Sequence, residues 1–94
     1  MWYVYILLSA SGRKTYTGYT SDVDRRLFEH NTSETKGYTR RYRPWALMRT
    51  EPYDQKAEAI QREKFLKTGR GREEIKKYID DYLKGAVSAA AEKD

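Results

Sequence analysis

From Trp2 to Leu8 the chain alternates. Trp2, Val4, Ile6 and Leu8 share one parity, Tyr3, Tyr5 and Leu7 the other, and no turn former interrupts them. Period two in β-branched and aromatic residues predicts a strand. Ser11-Gly12 is a turn signal, and Thr15 to Tyr19 returns as a second short strand. Strand side chains alternate faces, and a hairpin loop of even length pairs odd positions with even ones. An even loop centred near Ser11-Gly12 therefore puts Tyr3 and Tyr5 on the same face as Tyr16 and Gly18. Tyr5 and Tyr16 then become cross-strand neighbours. Gly18 leaves an open floor beside them, where a backbone or ligand can approach. An odd loop would break this arrangement.

The period then changes. Thr20, Ser21 and Asp22 are N-cap types, and Asp22 and Asp24 suit a helix N-terminus. Val23 and Leu27, at i and i+4, define the inward stripe. At about 100° per residue, His30 falls between them and Arg26 about 60° to one side. Arg25 and Glu29 point elsewhere. A histidine on a buried face is ordinarily a satisfied core residue, and an arginine beside it ordinarily snorkels to solvent. Their joint placement next to a two-tyrosine face makes a site the sharper reading.

Thr32 to Arg43 is polar and reads as a loop. Lys36, Arg40, Arg41 and Arg43 are positive, Tyr38 and Tyr42 are interleaved, and nothing from residue 36 to 43 is negative. Basic charge attracts phosphates and aromatic faces stack on unpaired bases; the plainer reading is a solvated loop whose tyrosines cover the core. Pro44 opens a third strand, an edge strand by its proline, in which Trp45, Leu47 and Arg49 alternate with Ala46, Met48 and Thr50. Pro52 and Asp54 mark its end.

Gln55 to Lys67 predicts a second helix with Asp54 as N-cap and Ala59, Ile60 and Leu66 as its apolar stripe. Glu63 lies three residues from Ile60 and three from Leu66, on that stripe. A carboxylate on a buried face is costly unless it is paired, hydrogen-bonded or bound to a metal, so an ion pair competes with a metal site here. Glu58 is the more exposed alternative. Thr68 to Arg72 (TGRGR) breaks the helix with two glycines. Lys67, Arg70 and Arg72 add positive charge there, suiting phosphate contact as well as an ordinary helix stop. Glu73 to Leu83 predicts a third helix whose stripe of Ile75, Tyr78, Ile79, Tyr82 and Leu83 reads as packing. Lys84 to Asp94 reads as a frayed helical extension or a flexible, disordered tail, leaving residues 1–83 as one domain.

Composition narrows the partners. The 94 residues carry nineteen Lys and Arg against fourteen Asp and Glu, a net charge of +5, with a pI near 9.5. Such a balance suggests a polyanion partner. Hydrophobic content of 38% is thin but sufficient for a small core, and nine tyrosines and two tryptophans supply much of its area. With no cysteine, disulfides and thiolate metal sites are excluded, which is compatible with a reducing cytoplasm. No apolar run approaches the roughly 20 residues of a membrane span. Met1 leads straight into a strand, which argues against a signal peptide.

The opening stretch resembles the GIY-YIG nuclease family. Tyr3-Val4-Tyr5 stands where the family has Gly-Ile-Tyr, Tyr16-Thr17-Gly18 where it has Tyr-Ile-Gly, and Arg26-Leu27-Phe28-Glu29-His30 carries its Arg-x-x-x-His pattern. The first triplet lacks the name-giving glycine but keeps its tyrosine. The likeness is greatest to the small stand-alone bacterial GIY-YIG proteins and covers roughly residues 2–80. It implies an α+β fold, a three-stranded antiparallel sheet flanked by three helices in the order β-β-α-β-α-α. It also implies Tyr5 as general base, supported by Tyr16 and His30, and Glu63 as the metal-binding glutamate of the second helix. An asparagine that the family often carries after that helix has no counterpart, since none follows Asn31.

Hydrolysing a phosphodiester needs an activated water, neutralised phosphoryl oxygens and a stabilised leaving oxygen. One carboxylate suits one hard ion, Mg²⁺ or Mn²⁺, completed by waters and phosphate, with the planar fork of Arg26 on the non-bridging oxygens. A phenol could relay the proton if neighbouring cations lowered its pKa; the residues alone leave open which tyrosine does so. The expectation is a metal-dependent DNA endonuclease, DNA being favoured over RNA, in repair or recombination. With no room for a targeting domain, it should be weakly sequence-specific and directed by structure or by a partner protein. The alternative is a nucleic-acid-binding module of the same fold with little or no activity; an adaptor for an acidic protein comes third.

Overall fold

A computed structural model describes the backbone over residues 1–32 and 37–92 and the side chains among them up to Gly85. Its elements are β1 (Trp2–Ser9), β2 (Thr15–Thr20), α1 (Val23–Thr32), α2 (Tyr38–Arg41), β3 (Trp45–Tyr53), α3 (Lys56–Leu66) and α4 (Gly69–Glu92). The strands form one antiparallel sheet in the order β2-β1-β3. The α+β architecture expected from the sequence is present, with α2 as an added single turn inside the segment read as a loop.

Measured from the Leu8–Thr15 pair, the β1–β2 loop (residues 9–14) has even length. Ser9 N–H donates to the Lys14 carbonyl at 2.9 Å, and Gly12, at φ 72°, turns the chain between them. Register follows: Tyr3 faces Thr20, Tyr5 faces Gly18 and Leu7 faces Tyr16. Central β1 is buried on both faces and separates two apolar clusters. Val4 and Ile6 pack with Ala59, Leu66 and Ile75 of α3 and α4. Tyr5 and Leu7 pack with Trp45, and with Val23 and Leu27 of α1, on the other face.

Strand β3 holds a feature its alternation conceals. Ile6 pairs with Arg49 but Leu7 pairs with Leu47, so Met48 is an extra residue in β3. A bulge of one residue reverses which face the following side chains take. Trp45 and Leu47 therefore face α1, whereas Arg49 turns to the opposite face, over the Tyr78 ring at 4.0 Å. Pro52 stays inside β3, opposite Tyr3, rather than ending it; an edge strand tolerates the missing N–H.

Asp22 caps α1, its Oδ1 accepting from Arg25 N–H at 3.0 Å. At the other end of that helix, Asn31 acts as a substitute strand partner. Its Oδ1 accepts from Trp45 N–H at 2.7 Å and its Nδ2 donates to the Trp45 carbonyl at 3.1 Å. Helix α3 is capped at Gln55 rather than Asp54, with Glu58 accepting from Gln55 N–H at 3.2 Å; that interaction gives Glu58 a structural role.

The α3–α4 junction is tighter than a loop. Helix α4 begins at Gly69, so Arg70 and Arg72 stand in its first turn instead of a glycine loop. Gly71 is there for packing: a Cβ on it would lie 2.1 Å from the Phe65 carbonyl oxygen and 2.3 Å from the Leu66 Cα. Helix α4 also outruns the expected Glu73–Leu83 and takes in much of the segment read as a tail, through Glu92; the alanines there are strong helix formers. Tyr82 and Leu83, expected in the apolar stripe, are exposed.

A charged staple ties β3, α3 and α4. The Glu51 carboxylate accepts from Arg62 Nε at 2.8 Å, Arg49 Nε at 2.9 Å and Tyr53 Oη at 3.1 Å. Arg62 Nη2 reaches on to Glu74 at 2.7 Å. Burial works against the Glu51 charge, but the two arginines outweigh it and hold its pKa down at about 2.

Candidate active site

The hairpin and α1 build a polar groove lined by Tyr5, Tyr16, Tyr19, Thr20, Arg26 and Glu29, with Arg25 beside them. Tyr5 is its floor, only 1% exposed. Its Oη and the Nε2 of His30 are 2.9 Å apart, a buried hydrogen bond. Tyr16 packs against both, its ring centroid 4.5 Å from His30 and 6.1 Å from Tyr5. The face expected to be an open floor over Gly18 is filled by the Tyr5 phenol.

Electrostatics fix the protonation states. Burial, with Arg26 and Arg43 nearby, lowers the His30 pKa, and Glu29 opposes only in part. Neutral His30 can accept at Nε2 from the Tyr5 hydroxyl. Burial pushes the Tyr5 phenol up to about 12, with Tyr16 adding to the rise and the Arg26 guanidinium opposing it. The sequence reading required cations to lower a phenol's pKa; at Tyr5 burial wins, so no phenolate is preformed. Burial disfavours the Arg26 charge as well, but Tyr5, Glu29 and Tyr16 outweigh it and raise its pKa.

Glu29 corrects the helical-wheel expectation. It does not point away: it lies in the groove, 3.5 Å from Arg26 and 3.9 Å from Arg25. Helix α1 sits close against the hairpin, so its flank as well as its inward stripe meets the groove. A second carboxylate at the site was legible only as a residue next to His30.

Glu63 is placed differently. Its side chain, 13% exposed, pairs with Lys67 one turn on along α3, and it does not line the groove. Lys67 in turn lines a separate cavity, shared with Tyr16, between the hairpin and the α3–α4 junction. The structure thus brings Tyr5, Tyr16, Arg26 and His30 together directly, whereas Glu63 stands outside the groove beside Lys67, which shares a cavity with Tyr16. Among the described residues no three His, Cys, Asp or Glu side chains form a metal-binding group. This donor set does not make a preformed metal centre. It fits a single hard cation whose other ligands are waters and phosphate.

The expected phosphate-binding residues also separate. Lys36 lies outside the described residues. Arg40 and Arg41 line an exposed basic patch on α2 with Tyr38 and Tyr42, and the Arg41 guanidinium lies 5.6 Å from the Tyr42 ring centre. Arg43 is half-buried and its Nε donates to the His30 carbonyl at 2.8 Å, so it anchors the end of α1. Arg72 joins Lys67 at the cavity rim, together with Arg13 and Lys76, which the sequence reading missed. Arg70 is exposed on α4 and lines neither space.

A β-hairpin presenting two tyrosines to an Arg-x-x-x-His helix, on a three-stranded sheet backed by a glutamate-bearing helix, defines a class. The chain belongs to the GIY-YIG catalytic domain family, whose model matches residues 1–78. It is 46% identical over 66 residues to the UPF0213 protein of Natronomonas pharaonis, covering 70% of this chain and 76% of that one. It is 36% identical over 74 residues to the UPF0213 protein of Staphylococcus saprophyticus, covering 79% and 89%. The solution structure of a UPF0213 protein from Bacillus halodurans is 36% identical, covers 80% of this chain and 82% of that one, and gives a TM-score of 0.47. The family generally comprises nucleases. No described helix is long and apolar enough to cross a membrane.

Proposed function

We propose that this protein is a divalent-metal-dependent endonuclease that hydrolyses phosphodiester bonds in DNA with little sequence preference, in DNA repair or recombination in the cytoplasm, targeted by DNA structure or a partner protein. The observation that carries this reading is the buried Tyr5–His30 hydrogen bond opening onto the Arg26 groove. An arginine fork beside a phenol–imidazole pair suits one task well, holding a phosphate while a proton is moved.

In this reading Arg26 binds the non-bridging oxygens of the scissile phosphate. As water attacks, one of its protons passes to the Tyr5 oxygen while the Tyr5 proton passes to His30 Nε2. A concerted relay is required because a phenol near pKa 12 is almost wholly protonated at neutral pH. The positive charge that appears on His30 is opposed by Arg26 and Arg43, and the negative phosphate already held on Arg26 offsets that repulsion. Tyr16 wedges the pair in place. Glu63 would hold a Mg²⁺ or Mn²⁺ once Lys67 has moved aside; when bound, the ion neutralises phosphate charge and stabilises the leaving oxygen. Lys67 then becomes available to phosphate.

One observation favours a second reading. Lys67 already neutralises Glu63, as it would in a binding module with little activity. Cleavage of labelled DNA by wild type, Arg26→Ala and Tyr5→Phe separates the two. Cleavage lost in both variants with binding retained supports the nuclease; binding by all three with no cleavage by wild type supports the module.

A further inference from the structure

The cavity between the β1–β2 hairpin and the α3–α4 junction is distinct from the Tyr5 groove. It holds about 420 Å³, inside the range of small-molecule sites, about 300–1,000 Å³. Its floor is apolar, made by Leu66, Ile75 and Ile79, with Thr15 and Thr17 offering hydroxyls from β2. Tyr38 supplies an aromatic wall, and Tyr16 lines the cavity at the β2 edge while its ring packs against Tyr5 and His30. Its rim carries Arg13, Lys67, Arg72 and Lys76, and among the described residues no carboxylate lines it. Lys67 and Lys76 have acidic neighbours, Glu63 and Glu73; Arg13 and Arg72 have none among the described residues.

An apolar, aromatic-walled floor under a cationic rim matches a ligand with a flat π-face on one end and an anion on the other. Bases stack on aromatic side chains whatever their identity, and the rim arginines and lysines suit phosphates. A paired, stacked base cannot leave the duplex for such a cavity without unpairing, which costs a few kcal/mol. Tyr16 lines both this cavity and the groove, so a nucleotide seated here would be continuous with a phosphate on Arg26.

We infer that this cavity binds one unpaired nucleotide adjoining the scissile phosphate, and so directs the enzyme to single strands, gaps and frayed junctions over continuous duplex. The inference rests on the nuclease reading for its use, but the binding is tested without turnover. Methyl and amide NMR of the full chain would be followed on titration with dAMP, with deoxyribose 5-phosphate and with inorganic phosphate. Resonances of Thr15, Thr17, Ile75 and Ile79 should respond to dAMP at about tenfold lower concentration than to either control, the worth of one stacked base. Equal responses to all three, or shifts confined to the α2 patch, would overturn the base pocket.

Thr15→Trp should fill the cavity from β2, where an aromatic residue is compatible with a strand. It should abolish the dAMP shifts and erase an expected tenfold preference for gapped over continuous DNA. Tyr38→Ala, which removes one wall from an exposed position, provides a second variant if Thr15→Trp melts early. Retained dAMP binding in both would contradict the assignment. Nucleotide binding without DNA cleavage would leave the pocket standing and remove the nuclease; cleavage without nucleotide binding would do the reverse.

Discussion

The Tyr5 phenol occupies the space that a side chain at residue 18 would need: a Cβ on Gly18 would stand 2.6 Å from the Tyr5 Oη. Gly18 is therefore required by a neighbouring side chain. Gly18→Ala should push Tyr5 off His30, costing about 1–3 kcal/mol of stability as overpacking does. The check is thermal melting together with the His30 ring resonances. An unchanged melting point and an undisturbed His30 would show that the phenol is not held there.

Tyr5→Phe removes the donor to His30 while keeping the ring. It should lower kcat by about 10²–10⁴, the usual weight of a positioned proton-transfer group, with KM little changed. Tyr16→Phe should cost less than tenfold, since only the packing of Tyr16 is needed. Single-turnover kinetics would check both. The reverse order would move the proton acceptor to Tyr16, the more exposed of the two phenols.

The pH dependence follows from His30 and has a definite sign. Its pKa is lowered in the folded protein, so as pH falls below about 6.5 the unfolded chain takes up this proton first. The contribution of His30 to stability is complete above that pH and is lost between it and the lower folded-state pKa. Activity should likewise fall on the acid side below about 6.5, as His30 protonates and can no longer accept from Tyr5. Tyr5, near 12, should add no alkaline limb across neutral pH. An acid limb above 6.5, read from kcat/KM, would contradict a depressed imidazole.

Glu51 should act on stability alone. Its pKa falls from 4.5 to about 2, which at roughly 1.36 kcal/mol per pKa step amounts to about 3 kcal/mol. The depressed value means that this stability is present above pH 4.5 and is lost as pH falls toward 2. Glu51→Gln should cost a similar amount at pH 7, read by urea denaturation, and leave DNA affinity unchanged. A loss of affinity would place the staple in the binding surface.

Arg40 and Arg41 should behave as phosphate contacts and Arg43 as an anchor. Replacing the first two with alanine should weaken DNA binding and flatten its salt dependence, by about 0.9 in slope for each phosphate no longer neutralised, with the melting point unchanged. Arg43→Ala should lower the melting point, because the His30 carbonyl loses its partner. Matching behaviour by all three would dissolve the distinction.

The sheet and the tyrosine–histidine cluster were legible because they depend on parity and helical period alone. Even loop length put Tyr5 and Tyr16 on one face, and the spacing of Val23, Leu27 and His30 buried the imidazole. What escaped was set by tertiary contact. The bulge at Met48 reversed Arg49 without any turn residue to announce it. Gly71 looks like part of a flexible phosphate loop and is instead a close approach of two helices. A helical wheel sends Glu29 to solvent because it cannot know how near the hairpin comes, and Arg43 resembles one more loop cation until its donor meets the end of α1.

The central claim is metal-dependent phosphodiester hydrolysis through Glu63. Its most direct test compares wild type with Glu63→Gln on labelled single-stranded, duplex and branched DNA, each with Mg²⁺, with Mn²⁺ and with chelator. The expected result is cleavage by wild type that requires the metal, and its loss in Glu63→Gln with DNA binding retained. Equal binding by both proteins and no cleavage by either would contradict the claim and leave Glu63 as the ion-pair partner of Lys67.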